Sequence, residues 1–254
     1  METVTYSIII PAYNESKRIG ASLERIVAYA AQQAWKVEVL VVNDGSRDDT
    51  AEIVREFAKK HSFIRLLENP GNRGKGYTVR NGILNARGDL LLFTDADLSS
   101  PIEEAPKLFN AIKAGADVAI GSRWLQAELQ RERQPFHRQV FGRIFNIFLR
   151  AVLGLPYKDT QCGFKAFTHG AARAVFGRQR ITGWGFDPEI LFLARKMNFR
   201  IQEVPVAWAH DDRSKINPIT DGIKMAMELL KIRWTDVAGK YDKALPTYVV
   251  TKSA

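Results

Sequence analysis

Hydrophobic and polar positions along this chain follow two alternating periods. Short runs rich in β-branched residues read as strands: Val4–Pro11, Val37–Val42, Ile64–Leu67, Leu90–Thr94, Ala116–Gly121 and Ile201–Trp208. Between the first five, Ser16–Ala34, Asp49–His61, Tyr77–Ala86 and Pro101–Ala114 read as helices. Asp48 or Asp49 would cap the second, and Ser100 with Pro101 would start the last. Strands separated by helices of this length predict an α/β fold, a mostly parallel sheet flanked by helices on both faces. Ligands of such sheets gather beyond the carboxyl ends of the strands. Asp44, Asp95, Asp97 and Arg123 each follow a strand, so all four are expected along one edge.

From about Trp124 the pattern changes. His137–Leu153 is helical by spacing, at roughly 100° per residue. Val140, Phe141, Ile144, Phe145, Ile147, Phe148, Ala151 and Val152 share one wide face, and Arg138, Arg143 and Arg150 lie opposite. Such a face suits a core helix and an interfacial helix alike. Asp187–Met197 reads as a helix, Asp221–Trp234 as a basic helix rich in Met, Leu and Ile, and Ala238–Ala254 as a polar, loose tail. No repeat or linker interrupts the chain, which favours one domain over two.

Composition narrows the partners. Lys plus Arg number 37 against 28 Asp plus Glu, a net charge of +9 that suits a polyanion. The basic residues are dispersed and lack an aromatic platform motif, which argues against nucleic acid. The single cysteine, Cys162, excludes an internal disulfide, fits a reducing compartment and reads as structural. No run approaches the ~20 apolar residues of a membrane span. Neither Gly-x-Ser-x-Gly nor zinc-type Cys/His spacing occurs, so metal-assisted phosphate chemistry outranks nucleophilic hydrolysis.

The candidate chemistry starts at Asp95-Ala96-Asp97, directly after an apolar strand. Two carboxylates at i and i+2 on an extended segment point the same way and repel unless a cation lies between them. Mg²⁺ or Mn²⁺ takes such oxygens and shares them with phosphates; a strand-end turn is the plainer alternative. Tyr13 in Pro11–Glu15 suits stacking on a base and Glu15 a ribose hydroxyl, or the segment is a capped loop. Asp44 suits the N3–H of uracil, or it makes an Asx turn. Gly71–Gly76 is similar to a phosphate-cradling loop with Lys75 as counter-charge, although Gly76 departs from the P-loop pattern. Arg123, Arg138, Arg143 and Lys215 are candidate phosphate ligands.

In order along the chain, Pro-Ala-Tyr-Asn-Glu (11–15), Val-Val-Asn-Asp-Gly-Ser (41–46), Asn-Arg-Gly-Lys-Gly (72–76), Asp-Ala-Asp (95–97) and Gly-Ser-Arg (121–123) resemble the family 2 glycosyltransferases of GT-A fold. Asp-Thr-Gln-Cys-Gly-Phe-Lys (159–165), Gly-Phe-Asp-Pro-Glu-Ile-Leu (185–191) and Ser-Lys-Ile (214–216) resemble the dolichyl- and polyprenyl-phosphate β-glucosyltransferase branch. The resemblance implies a Rossmann-like domain over 1–235, with a nucleotide-sugar half at 1–123, an acceptor half at 124–235 and a tail at 236–254. It implies a nucleotide-sugar donor, UDP-glucose, and a polyprenyl-phosphate acceptor. Pro11, Tyr13, Glu15 and Asp44 would hold the nucleoside. Lys75 and Lys215 would meet donor phosphates. Asp95, Ala96 and Asp97 would border the diphosphate, with Asp95 and Asp97 on Mg²⁺ or Mn²⁺. Arg123, Arg138 and Arg143 would meet the acceptor phosphate, and Gln161 and Asp187 the sugar. Asp97, Arg123 and Asp187 would then carry the catalysis. Ser99 is too short for the extra metal ligand some relatives have. Some relatives also carry a transmembrane anchor; here the C-terminal amphipathic helices are expected to lie on an anionic membrane surface, on the cytoplasmic face. The same fold transferring sugar to a hydroxyl, or a nucleotidyltransferase releasing pyrophosphate, are the competing readings.

Overall fold

A computed structural model describes residues 4–126, 147–209 and 218–245. Seven strands form one sheet: β1 (Tyr6–Ala12), β2 (Val37–Asn43), β3 (Ile64–Glu68), β4 (Leu90–Thr94), β5 (Val118–Ser122), β6 (Phe164–Thr168) and β7 (Ile201–Pro205). Their order is β3-β2-β1-β4-β6-β5-β7. The helices are α1 (Ile19–Gln32), α2 (Thr50–Lys60), α3 (Lys75–Asn85), α4 (Ala105–Lys113), α5 (147–153), α6 (His169–Arg178), α7 (Phe186–Lys196) and α8 (Pro218–Val237).

The strands read as unbroken apolar runs because both faces are covered. In β1, Ile8 and Ile10 join the core beneath α1, α2 and α4, with Val39, Val41 and Leu92. Ile9 faces the other way, into the core beneath α3 and α5 to α8, with Phe93, Ile120, Phe167 and Phe186. The parallel register sets Ile8 beside both Val39 and Leu92, so β1 and β2 end level with one another and β4 stops two residues short of them.

Neither β6 nor α6 is among the elements the hydrophobic pattern predicts. Strand β6 is five residues long and carries a lysine in the middle of its buried run. Lys165 is wholly buried because it has a carboxylate partner there, which a pattern of apolar positions does not register. Helix α6 is diluted by Gly170 and Gly177, poor helix formers. β6 runs antiparallel to both neighbours, pairing Thr94 with Phe164 and Ile120 with Lys165. An antiparallel strand brings the residues that precede it, here 159–163, to the edge where its neighbours end.

The expected loose tail is corrected as far as residue 245. Tyr241 is buried, and its hydroxyl donates to Glu189 Oε1 at 2.6 Å. The Leu245 N–H donates to the Gly177 carbonyl at 2.7 Å. The wide-faced helix expected over His137–Leu153 is described only at 147–153, where it is helical. Among the described residues, no helix is long and apolar enough to cross a membrane.

Candidate active site

A cleft of about 560 Å³ opens at the carboxyl edge of the sheet. It brings together Pro11, Tyr13, Glu15, Asp44, Lys75, Asp95, Ala96, Asp97, Arg123, Gln161 and Asp187 from the sequence-derived candidates. Arg138, Arg143 and Lys215 lie outside the described residues.

One end of the cleft is built from the loops after β1 and β2, which are stitched together. The Asn14 N–H donates to Ser46 Oγ, the Glu15 N–H to Thr50 Oγ1 and the Ser16 N–H to Asp48 Oδ2. Burial alone would raise the Asp48 carboxyl, but hydrogen bonds from Thr50 and Ser16 outweigh it and hold it at about 2. Glu15 pairs with Arg18, whose Nε donates to Oε2 at 2.6 Å, and Arg18 Nη1 reaches Asp97 Oδ2 at 3.5 Å. Arg18 lines the cleft and was not a sequence candidate. Its three-residue spacing from Glu15 on an incipient helix was the available signal.

The Asx turn after β2 belongs to Asn43, whose Oδ1 accepts from the Ser46 N–H. Asp44 is buried and turned to the glycine loop. Its Oδ1 accepts from Asn69 Nδ2 at 2.8 Å and the Arg73 N–H at 2.9 Å, and its Oδ2 from the Gly74 N–H at 2.9 Å. On the far side, the N–H groups of Gly76 and Tyr77 donate to the Thr182 carbonyl. The expected phosphate cradle is therefore corrected: the amides of 73, 74, 76 and 77 point at Asp44 and Thr182. Gly74 is required here, since its φ is +94° and a Cβ would stand 2.5 Å from the Thr182 oxygen.

Asp95 and Asp97 do not sit on an extended segment. β4 stops at Thr94, and the Leu98 N–H donates to the Asp95 carbonyl at 3.1 Å, closing a turn in which Leu98 takes the left-handed conformation, at φ 49°. Both carboxylates still face the cleft. Asp95 Oδ1 is 2.7 Å from Lys75 Nζ, and Asp97 Oδ1 accepts from the N–H and hydroxyl of Ser99. Burial would lower the Lys75 pKa, but the carboxylates of Asp95 and Asp187 outweigh it and raise it. Among the described residues, no three His, Cys, Asp or Glu side chains converge on one point. Two cleft-facing carboxylates suit a hard cation that takes its remaining oxygens from phosphate and water.

The Arg123 side of the cleft is organised by the stretch before β6, of which Gln161 and Gly163 line the cleft. Asp159, almost fully buried, grips Arg123: Nε donates to Oδ2 at 2.7 Å, Nη2 to Oδ1 at 2.9 Å and the backbone N–H to Oδ2 at 3.0 Å. Burial opposes the charge of Arg123, yet Asp159 holds its pKa above the usual value, and Trp208 lies 5.4 Å from the guanidinium. Gln161 Nε2 donates to Met225 Sδ. Gly163 packs so closely that a Cβ would lie 2.2 Å from Asp95 Oδ2. Lys165 Nζ donates to Asp187 Oδ1 at 2.5 Å and to the Cys162 carbonyl at 2.6 Å. Burial raises the Asp187 pKa, against the pull of Lys165 and Lys75. Burial likewise pushes the Cys162 thiol up to about 11, which suits a structural cysteine. Asp159 and Lys165 carry no role in the sequence pattern, and neither does Trp184, whose ring lies 5.1 Å from Lys75 Nζ.

Residues 7–176 match the family described as Glycosyl transferase family 2. A dolichyl-phosphate β-glucosyltransferase of Trichomonas vaginalis is 42% identical over 237 residues, covering 89% of this chain and 70% of the relative. That of Dictyostelium discoideum is 35% identical over 252 residues, covering 94% of this chain and 77% of the relative. In fold, the chain is similar to glucosyl-3-phosphoglycerate synthase from Mycobacterium tuberculosis, crystallised with Mn²⁺, UDP-glucose and phosphoglyceric acid. The TM-score is 0.67 at 20% identity, over 90% of this chain and 79% of the other. With the family model matched over residues 7–176 and relatives of 35–42% identity covered to two thirds or more, the chain belongs to the family 2 glycosyltransferases, in the dolichyl-phosphate β-glucosyltransferase branch.

Proposed function

We propose that this enzyme transfers glucose from UDP-glucose to a polyprenyl phosphate such as dolichyl phosphate, with inversion, at the cytoplasmic surface of a membrane. The observation that carries the reading is Arg123, locked by Asp159 in the same cleft that Asp44 lines. A guanidinium fixed in a fork geometry is preorganised for a phosphate oxygen pair. The named relatives act on dolichyl phosphate, and the fold neighbour holds UDP-glucose.

The chemistry follows from the acceptor's charge. A phosphate monoester is already an anion, so it needs no strong base. It needs its repulsion from the donor diphosphate screened and its oxygen held in line with the anomeric carbon. Arg123 holds the acceptor phosphate, with Arg138 and Arg143 proposed beside it. Tyr13, Glu15 and Asp44 border the nucleoside; Lys75, Lys215 and Ala96 border the diphosphate. Asp95 and Asp97 are the residues that would hold Mg²⁺ or Mn²⁺, which when bound neutralises charge on the departing UDP. Gln161 and Asp187 face the hexose. The ion pair with Lys165 favours Asp187 as a fixed acceptor for a sugar hydroxyl.

The test supplies labelled nucleotide sugars and short-chain polyprenyl phosphates to the purified protein with Mn²⁺. The expected products are glucosyl lipid phosphate and UDP, and a chelator should weaken UDP binding. Release of pyrophosphate would indicate a nucleotidyltransferase. A hydroxyl acceptor would be indicated if Asp187→Asn abolished turnover while Arg138→Ala left it intact.

A further inference from the structure

Helix α8 is apolar on two opposite sides. Leu229 and Ile232 are buried in the core, and on the same side Met225 lines the cleft and Glu228 Oε2 accepts from the Gly185 N–H at 2.8 Å. At roughly 100° per residue, Ile223, Met227, Leu230, Trp234 and Val237 fall together about half a turn away. All five are more than half exposed, from 57% at Met227 to 81% at Val237. Single exposed apolar residues are ordinary, but a stripe in helical register along one element marks a contact surface.

Its surroundings indicate the occupant. Lys224 and Lys231 flank the stripe on one side and Arg233 on the other, all exposed. Lys240 Nζ lies 4.2 Å from the Trp234 ring. Among the described acids of this stretch, Glu228 turns to Gly185, and Asp236 to Lys196 at 2.6 Å and to Arg233 at 3.8 Å. An apolar strip with a basic border and a tryptophan matches the interface of an anionic bilayer. A second copy is a poorer fit, because two such stripes face to face would set basic border against basic border.

We propose that α8 lies flat in the interfacial layer of an anionic membrane, with its outer stripe inserted and its inner side forming a wall of the cleft. This rests on the lipid-phosphate reading of the acceptor and deepens it. The helix that seats the protein on the membrane is also one that borders the site, so a membrane-borne phosphate enters at the level of Met225.

The experiment is co-sedimentation of the full chain with phosphatidylcholine vesicles, with and without phosphatidylglycerol. The comparison is between wild type and Leu230→Glu/Trp234→Glu. Wild type should pellet with the anionic vesicles, less so in high salt, and the variant should lose ~tenfold or more of that partitioning. Melting temperature and UDP affinity should be unchanged. Several results would overturn the proposal: a wild type that ignores the vesicles, or a variant that binds as well. So would a dimer that the substitutions dissociate, or a lower melting temperature with binding retained, which would place another part of this chain on the stripe. UDP affinity reads the glycosyltransferase assignment separately, since its absence in wild type would sink that assignment and leave the vesicle result standing.

Discussion

Asp159→Ala removes the carboxylate that accepts three hydrogen bonds from Arg123 and leaves the guanidinium in place. The Asp159 side chain is 2% exposed and that of Arg123 20%. Breaking a buried pair by deleting one partner costs about 3–5 kcal/mol, because the surviving charge stays desolvated. Arg123 has some access to water through the cleft, so the lower end, about 3 kcal/mol, is expected. In a chain of this size that corresponds to a fall of roughly 6–12 °C in melting temperature. Urea unfolding of Asp159→Ala, Arg123→Met and the double variant forms a cycle. The double variant should cost less than the two single costs summed, by about 2 kcal/mol or more, since it leaves no orphan charge. A cost below about 1 kcal/mol for Asp159→Ala, or strict additivity, would refute the claim that this pair fixes Arg123.

Gly163→Ala should push the Asp95 carboxylate aside, because the new Cβ would lie 2.2 Å from Oδ2. Calorimetry should find weaker Mn²⁺-dependent UDP binding with little change in unfolding midpoint; unchanged binding would count against Asp95 as a ligand. Burial pushes the Glu189 carboxyl up from 4.5 to about 7, against hydrogen bonds from Tyr241, Ile181 and Arg180. The folded state therefore holds this proton more tightly than the unfolded chain. The associated stability is fully present below about 4.5 and is lost as pH rises to about 7, a change on the order of 3 kcal/mol. Urea midpoints across that range should show the slope in wild type and not in Glu189→Gln.

Much of the first half of the chain was legible because its signals are local. Apolar runs end at Asn43, Thr94 and Ser122, and the polar residues that follow each run arrive at one edge by topology alone. The part after Arg123 was less legible because its logic is pairwise and distant. Lys165 looks like a break in a strand until Asp187, twenty-two positions on, is set beside it. Asp159 acts on Arg123 across thirty-six positions. Asp44 was read toward a ligand, but its three loop contacts come from residues whose approach only the folded chain defines.

The placement of β6 also bears on how the molecule assembles. By the described pairings it alone joins β3-β2-β1-β4 to β5-β7. Until Phe164–Thr168 inserts, β4 and β5 each present an unpaired ladder, the kind of open edge that recruits other chains. That closure waits on sequence-distant pairing, which is slow. The entry of β6 would thus complete both the barrier to aggregation and the cleft, so a nascent chain that stalls before it is at once inactive and adhesive.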